Sequence, residues 1–96
     1  MTTRITIANL EAVVARINRL TGSPATPWRR EGDRNRANIG NYHPSHAYGG
    51  VSLHRMANEG GGVTTPIGSG HVPKRELYEQ LHAFLRGIDV AQEDRA

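Results

Sequence analysis

Two amphipathic segments at the ends of the chain enclose a long middle segment that is rich in glycine and turn residues. In the first segment, apolar residues recur at the spacing of one helical face. They are Ile7, Leu10, Val13, Val14, Ile17 and Leu20. Thr6 is a suitable N-cap, and Gly22 is suited to the position that follows a helix. The sequence therefore predicts a helix over residues 7–21.

The second amphipathic segment begins at Pro73, because proline loses nothing at the first position of a helix. Its apolar stripe consists of Leu77, Leu81, Phe84, Leu85 and Ile88. Gly87 is predicted to terminate this helix, since glycine adopts the left-handed conformation of a helix end without strain. Residues 89–96 are expected to form a frayed acidic tail.

The middle of the chain predicts short strands. RANIGNYH (residues 36–43) and YGGVSLHRMA (residues 48–57) are two of them, joined by a loop around Pro44 and Ser45. In the second strand, Val51 and Leu53 are predicted to share one face.

A glycine turn after Asn58 precedes a third strand, GVTTPI, and a fourth could begin at Trp28 and return through Gly32 and Asp33. The predicted fold class is α+β in the order α-β-β-β-α, with two helices packed on one face of a small antiparallel sheet. The sheet has three strands, or four if the segment at Trp28 joins it. Residues 1–88 are expected to form one domain.

Composition excludes several functional classes. The chain has no cysteine, so disulfide bonds, thiolate metal sites and cysteine nucleophiles are ruled out. No apolar run approaches the roughly 20 residues that span a bilayer, and the first ten residues lack the apolar core of a signal peptide. We expect a cytoplasmic protein without a membrane partner.

Basic residues are concentrated in two places. The net charge is +3, and four of the arginines lie in RREGDRNR (residues 29–36), next to Trp28. A lysine and an arginine begin the second helix, where positive charge opposes the helix dipole and an anion would be stabilised. The candidate phosphate-binding residues are Arg29, Arg30, Arg34, Arg36, Lys74 and Arg75. The alternative is a solvated hairpin partly neutralised by Glu31 and Asp33, followed by an ordinary helix start.

The remaining polar residues form no recognisable catalytic framework. His43, His46 and His54 could approach one metal ion, but residues around Pro44 have no fixed common face and no carboxylate accompanies them. The serine, histidine and aspartate residues lack the context of a nucleophile elbow. We therefore predict no metal, no cofactor and no enzymatic activity.

The run RANIGNYHPSHAYGGVSLHRMANEGGGVTTP, followed by PKRELYEQLHAFLRGI, resembles small uncharacterised proteins encoded by tailed bacteriophages and prophages of proteobacteria. The resemblance covers residues 10–88. It implies an origin in a phage or prophage and a location in the bacterial host cytoplasm, and it implies no activity and no site residues.

These observations predict an accessory protein that acts by binding. A protein partner, from the host or the phage, or a second copy of the chain in a homodimer, is favoured because acidic residues interrupt the basic segments. The alternative is a nucleic-acid-binding domain that contacts the phosphate backbone through the arginine-rich loop and the basic helix start.

Overall fold

The first helix of the fold, α1, spans Ile7–Thr21, the range that the sequence predicts. The Thr6 hydroxyl accepts a hydrogen bond from the backbone N–H of Asn9 at 3.1 Å, and the Asn9 side chain accepts one from the Thr6 N–H at 2.9 Å. Gly22 follows the helix in the left-handed conformation, with φ of 69°. The computed structural model describes residues 4–68 and 70–95. Local capping chemistry thus defines both ends of α1.

The second helix, α2, spans Lys74–Arg95, and the predicted end at Gly87 is wrong. A glycine inside a helix costs only about 1 kcal/mol relative to alanine, so it does not by itself stop a helix. No proline follows Gly87, and the Gln92 side chain donates a hydrogen bond to the Leu20 carbonyl at 2.8 Å. This contact attaches the end of α2 to α1. Residues 89–95 of the segment predicted to fray continue the helix, and residue 96 lies outside the described residues.

In the described part of the chain, five strands form two antiparallel sheets. The first sheet is a hairpin of β1 (Trp28–Glu31) and β2 (Arg34–Ala37). The second has the order β3-β4-β5, with β3 at Tyr42–Ala47, β4 at Gly50–Met56 and β5 at Val63–Thr64. The α+β class is confirmed, and the element order is α-β-β-β-β-β-α. The predicted fourth strand at Trp28 forms, but it pairs with β2 in a sheet of its own.

The predicted boundary between the two central strands is wrong. Pro44 and Ser45 lie inside β3, and the chain reverses at Tyr48 and Gly49 instead. Both turn residues have positive φ angles, 54° and 74°, as a tight two-residue hairpin turn requires. Tyrosine rarely adopts this conformation, so the sequence does not mark the turn in the usual way.

The outer edge of β3 explains why proline is tolerated there. The Asn18 side chain donates to the Tyr42 carbonyl at 2.9 Å and accepts from the Tyr42 N–H at 2.8 Å. The backbone groups of Tyr42 therefore face α1, away from β4. Because alternate residues of a strand present their backbone groups in the same direction, the nitrogen of Pro44 also faces this edge, and no bond to β4 is lost.

Both helices pack on one face of the β3-β4-β5 sheet, as predicted. The buried cluster consists of Leu10, Val13, Val14, Ile17, Tyr42, Val51, Leu53, Leu77, Leu81 and Leu85. Val51 and Leu53 share the core face of β4, and strand alternation directs His54 to the opposite face. Neither helix in the described part of the chain has the length and hydrophobicity that a membrane span requires.

Candidate functional site

The β1–β2 hairpin, residues 28–37, is an exposed arm that is joined to the rest of the fold at its base. All four residues of β1 are exposed, and only Ala37 of β2 is buried. The Ala37 N–H donates to the Glu59 carbonyl at 3.0 Å, and the Asn38 N–H donates to the Pro27 carbonyl at 2.8 Å. These bonds hold the base of the arm, while its turn at Gly32 and Asp33 is surrounded by solvent.

One face of the arm carries a network of ion pairs. The register pairs Arg29 with Arg36 and Glu31 with Arg34, so these four side chains share a face. Arg36 Nη1 lies 3.1 Å from Glu59 Oε2, and Arg36 Nε lies 3.4 Å from Glu31 Oε1. Arg29 Nη2 is 3.5 Å from the same Glu31 carboxylate. Two of the four predicted phosphate-binding arginines of the arm therefore already have carboxylate partners.

Arg29 also holds the base of the arm together. Its Nη1 donates to the Ala37 carbonyl at 3.1 Å and to the Asn38 side-chain oxygen at 3.0 Å. A guanidinium with this many protein partners is poorly available to a ligand. We assign Arg29 a structural role.

The opposite face of the arm, which we call the indole face, consists of Trp28, Arg30 and Asn35. Strand alternation places Glu31 on the other face, and Arg30 has no ion pair among the described residues. These residues and Arg29 line a shallow cleft of about 300 Å³. Arg30 Nε donates to the Gly32 carbonyl at 3.2 Å, which directs the guanidinium towards the turn. The indole face combines an aromatic ring, a cation and an amide.

Trp28 is held in place by the loop between β4 and β5. Its ring lies so close to Gly61 that a Cβ atom at this position would be 2.6 Å from Trp28 Cη2. The side chain nevertheless stays 46% exposed. The indole is thus positioned by a backbone contact on one side and open to solvent on another.

The two basic residues at the start of α2 lie far from the arm. Lys74 lines a pocket of about 370 Å³ with Gly49 and Gly50, at the β3–β4 turn. The arm contacts the other end of β4, beyond Met56. Because the seven residues of β4 span about 20 Å, the arm is about that far from the β3–β4 turn. The six predicted phosphate-binding residues therefore form two separate groups, and phosphate binding by either group stays a prediction.

A second cluster lies on the sheet face opposite the core. His43 and His54 are directly paired across β3 and β4, with ring centres 5.8 Å apart. His71, which precedes the single bridge between Val72 and Val51, lies with its ring centre 6.0 Å from that of His54. We call His43, His54 and His71 the imidazole row.

The predicted histidine group differs from the imidazole row in one member. Strand alternation puts His46 on the face opposite His43, so it does not join the group. His71 takes its place, and no sequence signal indicates this, because His71 reaches the sheet only through the bridge at Val72. Among the described residues, no three histidine or carboxylate side chains are already placed to hold a metal ion.

Burial lowers the pKa of His43, and the charge of His54 lowers it further. The pKa of His54 is lowered in the same way, by burial first and then by the charge of His71. Both effects disfavour the protonated imidazole. Folding therefore favours the neutral form of both side chains.

An unusual aromatic residue marks the end of the sheet beside the row. Tyr48 is 98% exposed, has a φ angle of 54°, and places its ring 5.8 Å from that of His71. A non-glycine residue in this conformation costs about 1–2 kcal/mol. Exposure and backbone strain together make Tyr48 a candidate contact residue.

Comparisons of the chain with protein-family models, with curated proteins and with solved structures found no match.

Proposed function

We propose that this protein acts by binding, as a phage or prophage accessory protein, and that the indole face of the arm binds single-stranded nucleic acid. The observation that carries the proposal is the separation of charge on the arm. Glu31 and Glu59 form ion pairs with arginines on one face, whereas Trp28, Arg30 and Asn35 share the other face, and Arg30 has no ion pair among the described residues. An exposed arm with this composition suits an anionic, aromatic ligand.

Each side chain of the indole face has a defined role in the proposed complex. The exposed part of Trp28 stacks on an unpaired base, which is the main contact in many single-strand-binding proteins. Arg30 contacts a phosphate, and the Asn35 amide can both donate to and accept from a base edge. A base within a duplex is already stacked on both sides, so single strands are the preferred ligand.

The test is fluorescence anisotropy of labelled single-stranded DNA, single-stranded RNA and duplex DNA, titrated with protein at about 50 and 200 mM salt. Stacking on one base contributes about 1–3 kcal/mol, so Trp28→Ala should weaken single-strand binding by about 5- to 150-fold. Trp28→Phe should retain part of the affinity, because a smaller ring can still stack.

The matched control is Arg34→Ala, which removes the same charge from the opposite face of the same arm. Arg30→Ala should weaken binding and reduce its salt dependence by about one phosphate contact, whereas Arg34→Ala should have the smaller effect. Equal losses for the two variants would indicate attraction to net charge alone. Absence of binding at the lower salt concentration would refute the proposal.

A second candidate is a protein partner, from the host, from the phage or as a second copy of this chain, and Tyr48 favours it. A fully exposed tyrosine in a strained turn is the kind of aromatic residue that is enriched at protein interfaces. Sedimentation equilibrium tests the homodimer directly. Self-association that Tyr48→Asn abolishes would support it, and a monomer at all accessible concentrations would exclude it.

A further inference from the structure

We propose that the free edge of β3 binds an extended peptide of a protein partner by strand addition, and that a basic side chain of this peptide contacts Glu11. In strand addition, the incoming segment pairs with the backbone of an edge strand, and neighbouring side chains of the protein supply specificity. This inference is independent of the indole face, and it gives the protein partner of the second candidate function a definite surface.

The backbone of β3 is available on the side that faces away from β4. The Asn18 side chain pairs with both backbone groups of Tyr42, at 2.9 and 2.8 Å, so the even-numbered residues of β3 present their backbone groups outward. Beyond Tyr42, the outward groups are the carbonyl of Pro44 and the N–H and carbonyl of His46. Among the described residues, none of these three groups has a hydrogen-bond partner. The edge therefore offers one donor and two acceptors to an extended chain.

A groove of about 460 Å³ runs along this edge, between α1 and β3. Glu11, Ala15 and Asn18 line its helix side, because residues spaced by three and four positions lie on one face of a helix. Pro44 and His46 line its strand side. Because the side chain of Ala15 is small, the groove has room for a side chain of the bound peptide.

Glu11 determines which side chain the groove favours. It is exposed and has no ion pair among the described residues. Of the described residues that line the groove, Glu11 is the one with a carboxylate, and none is a lysine or an arginine. A lysine or arginine of the peptide therefore complements the charge of the groove.

A free peptide fits the edge better than a second copy of this chain does. In a two-fold pairing centred on His46, the Pro44 carbonyl would face Tyr48 of the second copy, and a residue with a φ angle of 54° is not extended. Only the two bonds between the His46 residues would then form. A peptide stays extended opposite both His46 and Pro44, so it can pair with all three outward groups.

The probe is a library of short random peptides displayed in many copies on the yeast surface, because multivalent display detects weak binders. The peptides selected on the purified chain should contain a lysine or arginine and should lack proline at the paired positions. One selected peptide is then synthesised, and its affinity for the chain is measured by isothermal titration calorimetry.

Two pairs of variants test the two parts of the proposal. His46→Pro removes the outward N–H and should weaken peptide binding by about 2- to 13-fold, the effect of one hydrogen bond. His46→Ala, its matched control, keeps the N–H and should retain the affinity. Glu11→Gln should weaken binding by about 1.5- to 5-fold and reduce its salt dependence. Glu79→Gln removes an exposed carboxylate of α2 that does not line the groove, and it should leave the affinity unchanged.

Hydrogen–deuterium exchange of the His46 amide measures the same contact in the unaltered chain, and circular dichroism establishes that each variant is folded. The peptide should slow the exchange of this amide. Losses confined to His46→Pro and Glu11→Gln, together with this protection, support the proposal. A selection that enriches no peptide, equal affinities of His46→Pro and His46→Ala, or an unprotected His46 amide would overturn it.

A second copy of the chain is the competing occupant of the edge. Sedimentation equilibrium distinguishes the two, because self-association that His46→Pro abolishes would overturn the peptide proposal in favour of a homodimer. Nucleic-acid affinity is measured separately, so failure of this proposal is distinguishable from failure of the proposed function.

Discussion

Replacing Gly61 by alanine should displace Trp28 and weaken the attachment of the arm. Gly61 has a φ angle of 100°, and an added Cβ would lie 2.6 Å from Trp28 Cη2 and 3.2 Å from Cζ2. The backbone conformation alone costs an L-residue about 1–2 kcal/mol. Because the indole is partly exposed, the ring can relieve the clash by moving. We expect the free energy of unfolding to fall by about 1–2 kcal/mol.

Fluorescence measures the displacement directly, since Trp28 is the sole tryptophan of the chain. The emission maximum of Gly61→Ala should shift to longer wavelength, and quenching by iodide should increase, because the indole loses its contact with the β4–β5 loop. Urea denaturation of the same samples gives the change in the free energy of unfolding. Single-strand affinity should also fall, by no more than Trp28→Ala lowers it.

Gly49→Ala is the matched control. Gly49 also has a positive φ angle, 74°, but no atom lies within 4 Å of an added Cβ. This variant should therefore lose a similar amount of stability while its tryptophan emission stays unchanged. An unchanged emission spectrum in Gly61→Ala, or an equal shift in the two variants, would refute the argument that Gly61 positions Trp28.

Three further predictions concern other parts of the fold. Asn18→Ala leaves the buried N–H and carbonyl of Tyr42 without their hydrogen-bond partners. The free energy of unfolding, measured by urea denaturation, should therefore fall by about 2–4 kcal/mol. A loss below about 0.5 kcal/mol would contradict this prediction. Tyr48→Asn should raise the free energy of unfolding by about 1 kcal/mol, since asparagine tolerates the left-handed conformation better than tyrosine does. A lower free energy of unfolding in this variant would contradict the argument that the Tyr48 backbone is strained. The pKa values of His43 and His54 are lowered below 6.5 by folding, so the unfolded chain takes up protons first as pH falls. In metal-free buffer the free energy of unfolding should decline as pH falls through 6.5, and His54→Gln should reduce that decline. An unchanged slope would refute the assignment.

The helices were predictable because their signals are local. The apolar spacing, the Thr6 cap and the terminal Gly22 act within one or two turns, and the structure confirms α1 over the predicted range. The helix end predicted at Gly87 is wrong because that prediction, too, used only local signals. Local propensity favours a helix end there, but the hydrogen bond from Gln92 to Leu20 joins residues 72 positions apart. A contact between two helices cannot be read from the pattern of either one.

The candidate sites were less predictable, because they depend on pairing. The arginine cluster of residues 29–36 is visible in the sequence, and so is the alternative that acidic residues neutralise part of it. The partner that completes this network, Glu59, comes from the β4–β5 loop. Strand alternation within β1 already places Arg30 on the face of Trp28, but only the register of β1 and β2 puts Arg36 on the face of Glu31.

The sequence by itself determined the α+β class, the position of α1, the start of α2 within one residue, and the core face of β4. Each follows from periodicity or capping, which depend on neighbours along the chain. The tertiary structure decided which histidines meet, which arginines are neutralised, and where the indole lies. These outcomes require the bridge between Val72 and Val51 and the contact between Gly61 and Trp28. Such contacts form between distant segments only once the chain has packed, so no local pattern records them.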